Sequence, residues 1–289
     1  MDKNIQIEKI NGKFKDKDII SLDQFTPKDI NILFALTKKM KKIAVNSRAE
    51  IVDPQHFSSV SKGESLEDTI RVFEAYCNAI VIRHPVVGTA QKAADIASFV
   101  PVINAGDGIG DHPTQGLLDL ATIYEKHKRL DNLIMVAAGD ILNGRTIRSC
   151  MKGLSLYPNN TIYLLSPKEL RMTRESFEYY TKRGLKLFEI ESEKDIPKNA
   201  DVWYWTRVQK ERFENLKDYE KVKNKFVLTK KLLDTTGGKQ TIVMHPLPRV
   251  GEITTDVDDD PRAQYLRSQV RNGMYIRMAL LALVLGKTK

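Results

Sequence analysis

The sequence predicts an α/β protein built from two doubly wound parallel-sheet domains. Three observations predict it. Short apolar runs alternate with amphipathic helical stretches along most of the chain, as in βαβ architecture. The 289 residues suffice for two domains of roughly 150 residues, each able to bury its own core. The composition, 42% hydrophobic, 29% charged and 8% aromatic, is that of a soluble globular chain and excludes disorder or collagen-like structure for the bulk.

The elements follow in order. Thr26-Pro27-Lys28-Asp29 places a cap, a first-turn proline and an acidic residue ahead of Ile30, Leu33, Phe34 and Met40, so a helix begins at Pro27. From 43 to 61 the pattern is short and irregular. Ser65-Leu66-Glu67-Asp68 then caps a second helix with Leu66, Ile70, Phe73 and Cys77 on one face. Apolar runs at 79–82, 100–103, 133–137, 161–165, 187–190, 202–205 and 241–244 read as strands. Helical periodicity fills 90–98, 114–128, 146–156, 174–183, 218–233 and 261–285. Around Lys128-Arg129-Leu130-Asp131-Asn132 one long helix ends and a new βα series begins, which marks the domain boundary. No internal repeat or low-complexity segment interrupts the series.

Charge decides little. The 46 Lys+Arg against 37 Asp+Glu give +9, which suits nucleic acid, an acidic membrane or small anionic substrates, but the basic residues are spread over the whole length, as on a lysine-rich solvated surface. Cys77 and Cys150 sit in amphipathic stretches without metal-ligand spacing and read as buried thiols of a reducing, cytoplasmic compartment. Met1-Asp2-Lys3-Asn4-Ile5 lacks the apolar core of a signal peptide, and the apolar run at 278–285 is far below the roughly 18 residues of a spanning helix. No membrane segment is expected.

Ligands of open parallel sheets bind at the carboxyl ends of strands. The residues there are rich in arginine, histidine and glutamine: Arg83-His84-Pro85, Asn104-Ala105-Gly106-Asp107-Gly108 with His112-Pro113-Thr114-Gln115, Gly139-Asp140 with Asn143-Gly144-Arg145-Thr146, Thr206-Arg207-Val208-Gln209-Lys210, and His245-Pro246-Leu247-Pro248-Arg249. Singly, a strand-end arginine is an ordinary surface ion-pair residue, and His84, His112 and His245 before prolines read as structural. Together, guanidinium forks match carboxylate and phosphate oxygens, and a neutral histidine or glutamine polarises a carbonyl without adding charge. The set suits two anionic substrates.

A nucleotide reading of Gly106-Asp107-Gly108-Ile109-Gly110-Asp111 fails, because the third glycine is displaced, the aspartates repel a pyrophosphate and there is no Walker sequence. The five histidines form no HxxxH or HExxH pattern, so no metal site is expected.

In order and spacing these motifs resemble those of aspartate carbamoyltransferase catalytic chains, from about Thr26 to Gly286. His112-Pro113-Thr114-Gln115 is shared with the ornithine enzymes, whereas the run from Thr206 to Arg212 and His245-Pro246-Leu247-Pro248-Arg249 are similar to the aspartate enzymes. The resemblance implies carbamoyl transfer from carbamoyl phosphate to L-aspartate in pyrimidine synthesis, with no cofactor and no covalent intermediate. It implies that Arg83, His112 and Gln115 hold carbamoyl phosphate, with Arg83 and His112 catalytic in polarising its carbonyl oxygen. Leu247 and Pro248 would offer carbonyls to the carbamoyl amine through a cis peptide before Pro248, which otherwise reads as a rigid turn. Arg145, Arg207 and Gln209 would grip aspartate. Ser58, toward carbamoyl phosphate, and Lys62, toward aspartate, would reach a neighbouring subunit's site, so a homotrimer with shared sites is implied, and a regulatory chain is left open. Against that, Lys62 reads as a solvated loop lysine.

One departure from the family matters. The family carries Ser-Thr-Arg-Thr-Arg at a helix N-terminus, where backbone N–H groups and an arginine cradle the phosphate. Here the chain passes from Ile43 through Asn46-Ser47-Arg48 to Ser58, too short by roughly twenty residues for that loop and the helix it opens. Ser47-Arg48 is at best a remnant. Two functions of different class follow: an aspartate carbamoyltransferase, impaired by the missing loop or with its phosphate contacts rebuilt from elsewhere, or a non-catalytic homologue or internally deleted chain acting as an assembly subunit. The domains read as a carbamoyl-phosphate domain of 1–127, completed by a C-terminal helix returning to it at 266–289, and an aspartate domain of 128–265.

Overall fold

The computed structural model describes residues 8–44, 64–213 and 215–287. It forms two compact units, one of residues 1–114 with 274–289 and one of residues 115–273.

In the first unit, α1 (Pro27–Ala44) begins at a reciprocal cap. Asp29 Oδ2 accepts from the Thr26 N–H at 2.8 Å while Thr26 Oγ1 accepts from the Asp29 N–H at 3.3 Å. Helix α2 (Leu66–Glu74) is capped by Ser65, whose Oγ accepts from the Asp68 N–H at 3.1 Å. It stops before Cys77, which lies in the turn that follows rather than on the helix. Strand β1 (Ile80–His84), α3 (Thr89–Ile96) and β2 (Val102–Asp107) form a βαβ unit, with β1 parallel to β2 in the register Ile80↔Val102 and Ile19 bridging Ile103 on the other edge of β2. Ile20, Ile70, Ile80, Ala90, Ala93 and Val102 make its core.

The second unit holds α4 (Pro113–His127) from Gln115 onward, then β3 (Ile134–Ala138), α5 (Arg145–Leu154), β4 (Thr161–Leu165), α6 (Arg174–Lys182), β5 (Lys186–Ile190), β6 (Val202–Trp205), α7 (Leu216–Val222), α8 (Lys230–Thr236) and β7 (Ile242–Met244). Helix α9 (Ser268–Val284) starts in this unit, and from Met274 it belongs to the first. All strand pairs are parallel, in the order β5-β4-β3-β6-β7. The chain winds outward from β3 in both directions, so the connection reverses between β3 and β6. Strand β6, Val-Trp-Tyr-Trp, is buried on both faces, which is why it reads as a continuous apolar run instead of an alternating one. The rings of Trp203 and Trp205 lie 5.5 Å apart, tilted by 37°, within a core that includes Val136, Leu165, Val243 and Tyr265.

Two expected helices differ. The stretch 218–233 is divided into α7 and α8, because Leu228 leaves the helix to bridge Ile253 and Thr229 caps a new one through the Leu232 N–H at 3.2 Å. The last helix begins at Ser268 and not at 261, because Ala263 bridges Val243 and the Gln264 N–H donates to the Val243 carbonyl at 2.8 Å. Sheet pairing outcompetes helix there.

Candidate active site

Each unit carries part of the strand-end set. In the first, Arg83 is exposed on β1, the residue before His84. His84 is followed by a ring-closed turn: its Nδ1 accepts from the Val86 N–H at 3.1 Å, as an aspartate side chain does in an Asx turn. The glycine-rich loop docks on this turn. The Gly108 N–H donates to the His84 carbonyl at 2.8 Å, and a Cβ on Gly108 would stand 2.4 Å from the Pro85 carbonyl oxygen, so only glycine fits. Both carboxylate oxygens of Asp107 are engaged by backbone, Oδ1 by Asp111 N–H and Oδ2 by Gly88 N–H, each at 2.8 Å. This loop organises backbone. His112 is buried just ahead of α4, with Nδ1 3.4 Å from Thr114 Oγ1. Ser58 and Lys62, and the Ser47-Arg48 remnant, lie outside the described residues.

In the second unit the loops after β3 and β6 meet at the point where the sheet order reverses. A Cβ on Gly139 (φ +111°) would lie 2.1 Å from the Thr206 carbonyl oxygen. Beyond this close approach, Asp140 Oδ1 accepts from the Asn143 N–H at 2.9 Å, and Gln209 Nε2 donates to the Asn143 carbonyl at 3.0 Å. Burial raises the Asp140 carboxyl above its ordinary value, against the opposing hydrogen bonds from Asn143 and Gln209. Arg145, the first residue of α5, follows directly, so Arg145 and Gln209 stand on one hydrogen-bonded junction. Arg207 forks onto both carboxylate oxygens of Glu211 four residues on, which holds Glu211 below its ordinary value.

The loop after β7 repeats the histidine device. His245 Nδ1 accepts from the Leu247 N–H at 2.9 Å, and the Leu247–Pro248 peptide is cis. The far ring nitrogen of His245 lies 2.6 Å from Glu252 Oε1, both groups buried. Burial pulls the Glu252 carboxyl up, but His245 and nearby backbone N–H groups outweigh it and leave Glu252 below its ordinary value. Arg249 forks onto Asp258 and so serves the loop's own structure. Gln115 is buried, its Nε2 donating to Asp119 Oδ1 at 3.0 Å.

Asp119 and Glu252 stand in none of the sequence motifs, and Asp140, Asn143 and Glu211 stand in them without an assigned role. Two left a signal: Gln115/Asp119 and Arg207/Glu211 are each four apart, the spacing of helical side-chain pairs. Among the described residues no group of three or more metal-ligating side chains assembles, and no helix is long and apolar enough to cross a membrane.

Residues 49–125 match the family model described as aspartate/ornithine carbamoyltransferase, carbamoyl-P binding domain, and residues 131–284 match its Asp/Orn binding domain. The chain belongs to the aspartate/ornithine carbamoyltransferase family. It is 48% identical over 232 residues to aspartate carbamoyltransferase, chloroplastic, of Oryza sativa subsp. japonica, covering 80% of this chain and 63% of the rice protein. It is 46% identical over 229 residues to the multifunctional protein pyr1-3 of Dictyostelium discoideum, covering 79% of this chain and 10% of that much longer protein. With the chloroplastic enzyme of Arabidopsis thaliana it is 40% identical over 310 aligned positions, which cover 94% of this chain and 79% of the plant protein. Since 310 exceeds the 289 residues present here, part of the plant sequence faces no residue of this carbamoyltransferase-family chain. The structure of Trypanosoma cruzi aspartate transcarbamoylase in complex with carbamoyl phosphate and aspartate superposes with a TM-score of 0.84 at 30% identity, covering 97% of this chain and 100% of that one.

Proposed function

We propose that the chain transfers the carbamoyl group of carbamoyl phosphate to the amine of L-aspartate, giving N-carbamoyl-L-aspartate and phosphate, a step of pyrimidine synthesis. The observation that carries the reading is the junction of the β3 and β6 loops, where Asp140, Asn143 and Gln209 join the segment that presents Arg145 to the segment that presents Arg207. Two guanidinium groups at adjacent strand ends suit the two carboxylates of aspartate, whereas ornithine has one carboxylate and a side-chain amine. Both Arg207 and Gln209 have internal partners, so aspartate exchanges one set of polar contacts for another.

On this reading Arg83, His112 and Gln115 receive carbamoyl phosphate. The aspartate amine attacks the carbamoyl carbon, the carbon–oxygen bond to phosphate breaks, the phosphate leaves with that electron pair, and the amine gives up a proton. Arg83 and His112 stabilise the charge that develops on the carbonyl oxygen, a kind of contribution worth about 10² to 10³ in rate per donor. The Leu247 and Pro248 carbonyls accept from the carbamoyl NH2. Residues 1–127 with 266–289 then act as the donor domain and 128–265 as the acceptor domain. Ser58 and Lys62 complete a neighbour's site in a cytoplasmic homotrimer that uses no cofactor. Mixing Lys62→Ala with Arg83→Ala chains tests the shared site: with subunit exchange demonstrated, recovered activity supports it, and none from an active parent refutes it.

The departure from the family at the Ser-Thr-Arg-Thr-Arg segment, read from the sequence alone, favours the second function, a non-catalytic assembly subunit. Formation of carbamoyl aspartate by the purified protein separates the two.

A further inference from the structure

We propose that Asp119 is a positioning residue that makes the donor site select an amino group over a methyl group. The proposal rests on the reading above, in which Gln115 receives carbamoyl phosphate and the Leu247 and Pro248 carbonyls meet its NH2, and it adds that Gln115 meets the same NH2.

Asp119 lies on α4, one turn after Gln115, and is wholly buried. Its donors include Gln115 Nε2 at 3.0 Å and Gln269 Nε2 at 2.8 Å, both to Oδ1, and the Tyr204 hydroxyl at 2.9 Å to Oδ2. A carboxylate accepts only, so it fixes the polarity of every amide that touches it. Turning Gln115 over would set its carbonyl oxygen against Oδ1. Gln115 Oε1 is therefore the end left to accept, and it accepts no hydrogen bond among the described residues.

The second branch reaches the loop after β7. Because Gln269 spends its NH2 on Asp119, its Oε1 accepts from the His245 N–H at 3.0 Å, and His245 Nδ1 in turn accepts from the Leu247 N–H at 2.9 Å. The backbone from His245 to Leu247 is thus pinned by its N–H groups, which leaves its carbonyls for other partners. One buried carboxylate orients two sets of acceptors, and both sets require a donor. Carbamoyl phosphate offers NH2 to them, whereas an acetyl isostere offers CH3 and leaves them unpaired. Sites built to hydrogen-bond reject analogues that lack the group far more strongly than apolar pockets reject a size change.

The test compares phosphonoacetamide with acetonylphosphonate, which differ only by NH2 against CH3, in calorimetric titrations of the purified protein. Any weakness in phosphate binding is common to both and cancels in the ratio. The wild type is expected to prefer the amide by at least about tenfold, and Asp119→Asn, whose own NH2 can meet a flipped Gln115, to lose about tenfold of that preference. Gln269→Met keeps the Gln115 branch and cuts the other, so it is expected to fall between them; it also decides the matter alone if Asp119→Asn does not fold. A folded variant with the wild-type ratio overturns the proposal, as does a wild-type ratio of one. If neither compound binds the wild type, the carbamoyl-phosphate reading fails and the proposal with it.

Discussion

Replacing Gly139 by alanine tests whether the junction of the β3 and β6 loops is held by a close backbone approach. The added Cβ would lie 2.1 Å from the Thr206 carbonyl oxygen and 2.9 Å from its Oγ1, at φ +111°. Backbone is the nearest obstacle, so no rotamer change relieves it. The left-handed conformation alone costs about 1–3 kcal/mol for a non-glycine residue, and overpacking against fixed backbone adds about 1–3 kcal/mol. Gly251→Ala separates the two effects, because it has φ +121° and nothing within 4 Å of its Cβ. Gly139→Ala should therefore exceed Gly251→Ala by at least about 1 kcal/mol. The assay is intrinsic: the protein has two tryptophans, Trp203 and Trp205, both on β6, so urea unfolding followed by fluorescence reads the second unit. Spreading the junction should also weaken binding of succinate, a dicarboxylate without the amine, measured by calorimetry. Equal losses for the two alanine variants would refute the close-approach argument.

Three further outcomes are expected. Gln209→Leu removes the hydrogen bond to the Asn143 carbonyl and should cost the second unit about 0.5–1.5 kcal/mol in the same urea assay while weakening succinate binding; unchanged succinate affinity would separate Gln209 from the acceptor site. Asp258 is held below its ordinary 3.8 by the Arg249 fork, so its contribution is full above about pH 4 and is lost as pH falls through and below 3.8; Arg249→Met should flatten the acid limb of the urea midpoint between pH 7 and pH 3, and an unaltered limb would contradict this. Relative to a family member with the Ser-Thr-Arg-Thr-Arg segment, calorimetry should show a greater loss of affinity for carbamoyl phosphate than for succinate, since each lost charge-assisted phosphate contact is worth about 1.5–3 kcal/mol; equally tight carbamoyl phosphate binding would oppose it.

The alternation of apolar runs and helical periodicity made most elements legible, because buried parallel strands are apolar on both faces, as at Val202–Trp205. What periodicity misjudged were places where a residue's partner is distant in sequence. Leu228 and Ala263 belong by pattern to helices, yet each is claimed by a strand-like bridge, to Ile253 and Val243. The site divides in the same manner. Arg145, Arg207 and Gln209 stand out in the sequence with Asp140 and Asn143 because all follow strand ends, whereas the hydrogen bonds of Gln209 to Asp140 and Asn143 that tie the two loops together are created only by folding. Asp119 reads as one of several polar residues on α4, and its partners Tyr204 and Gln269 lie 85 and 150 residues away.

The central claim is tested most directly by incubating the purified protein with carbamoyl phosphate and L-aspartate at saturation and measuring N-carbamoyl-L-aspartate and phosphate together. The account predicts both products in equal amounts, with Arg83→Ala and Arg207→Ala each abolishing the yield. No carbamoyl aspartate above the protein-free control, from protein shown by fluorescence to be folded, would contradict it and leave the assembly-subunit function in its place.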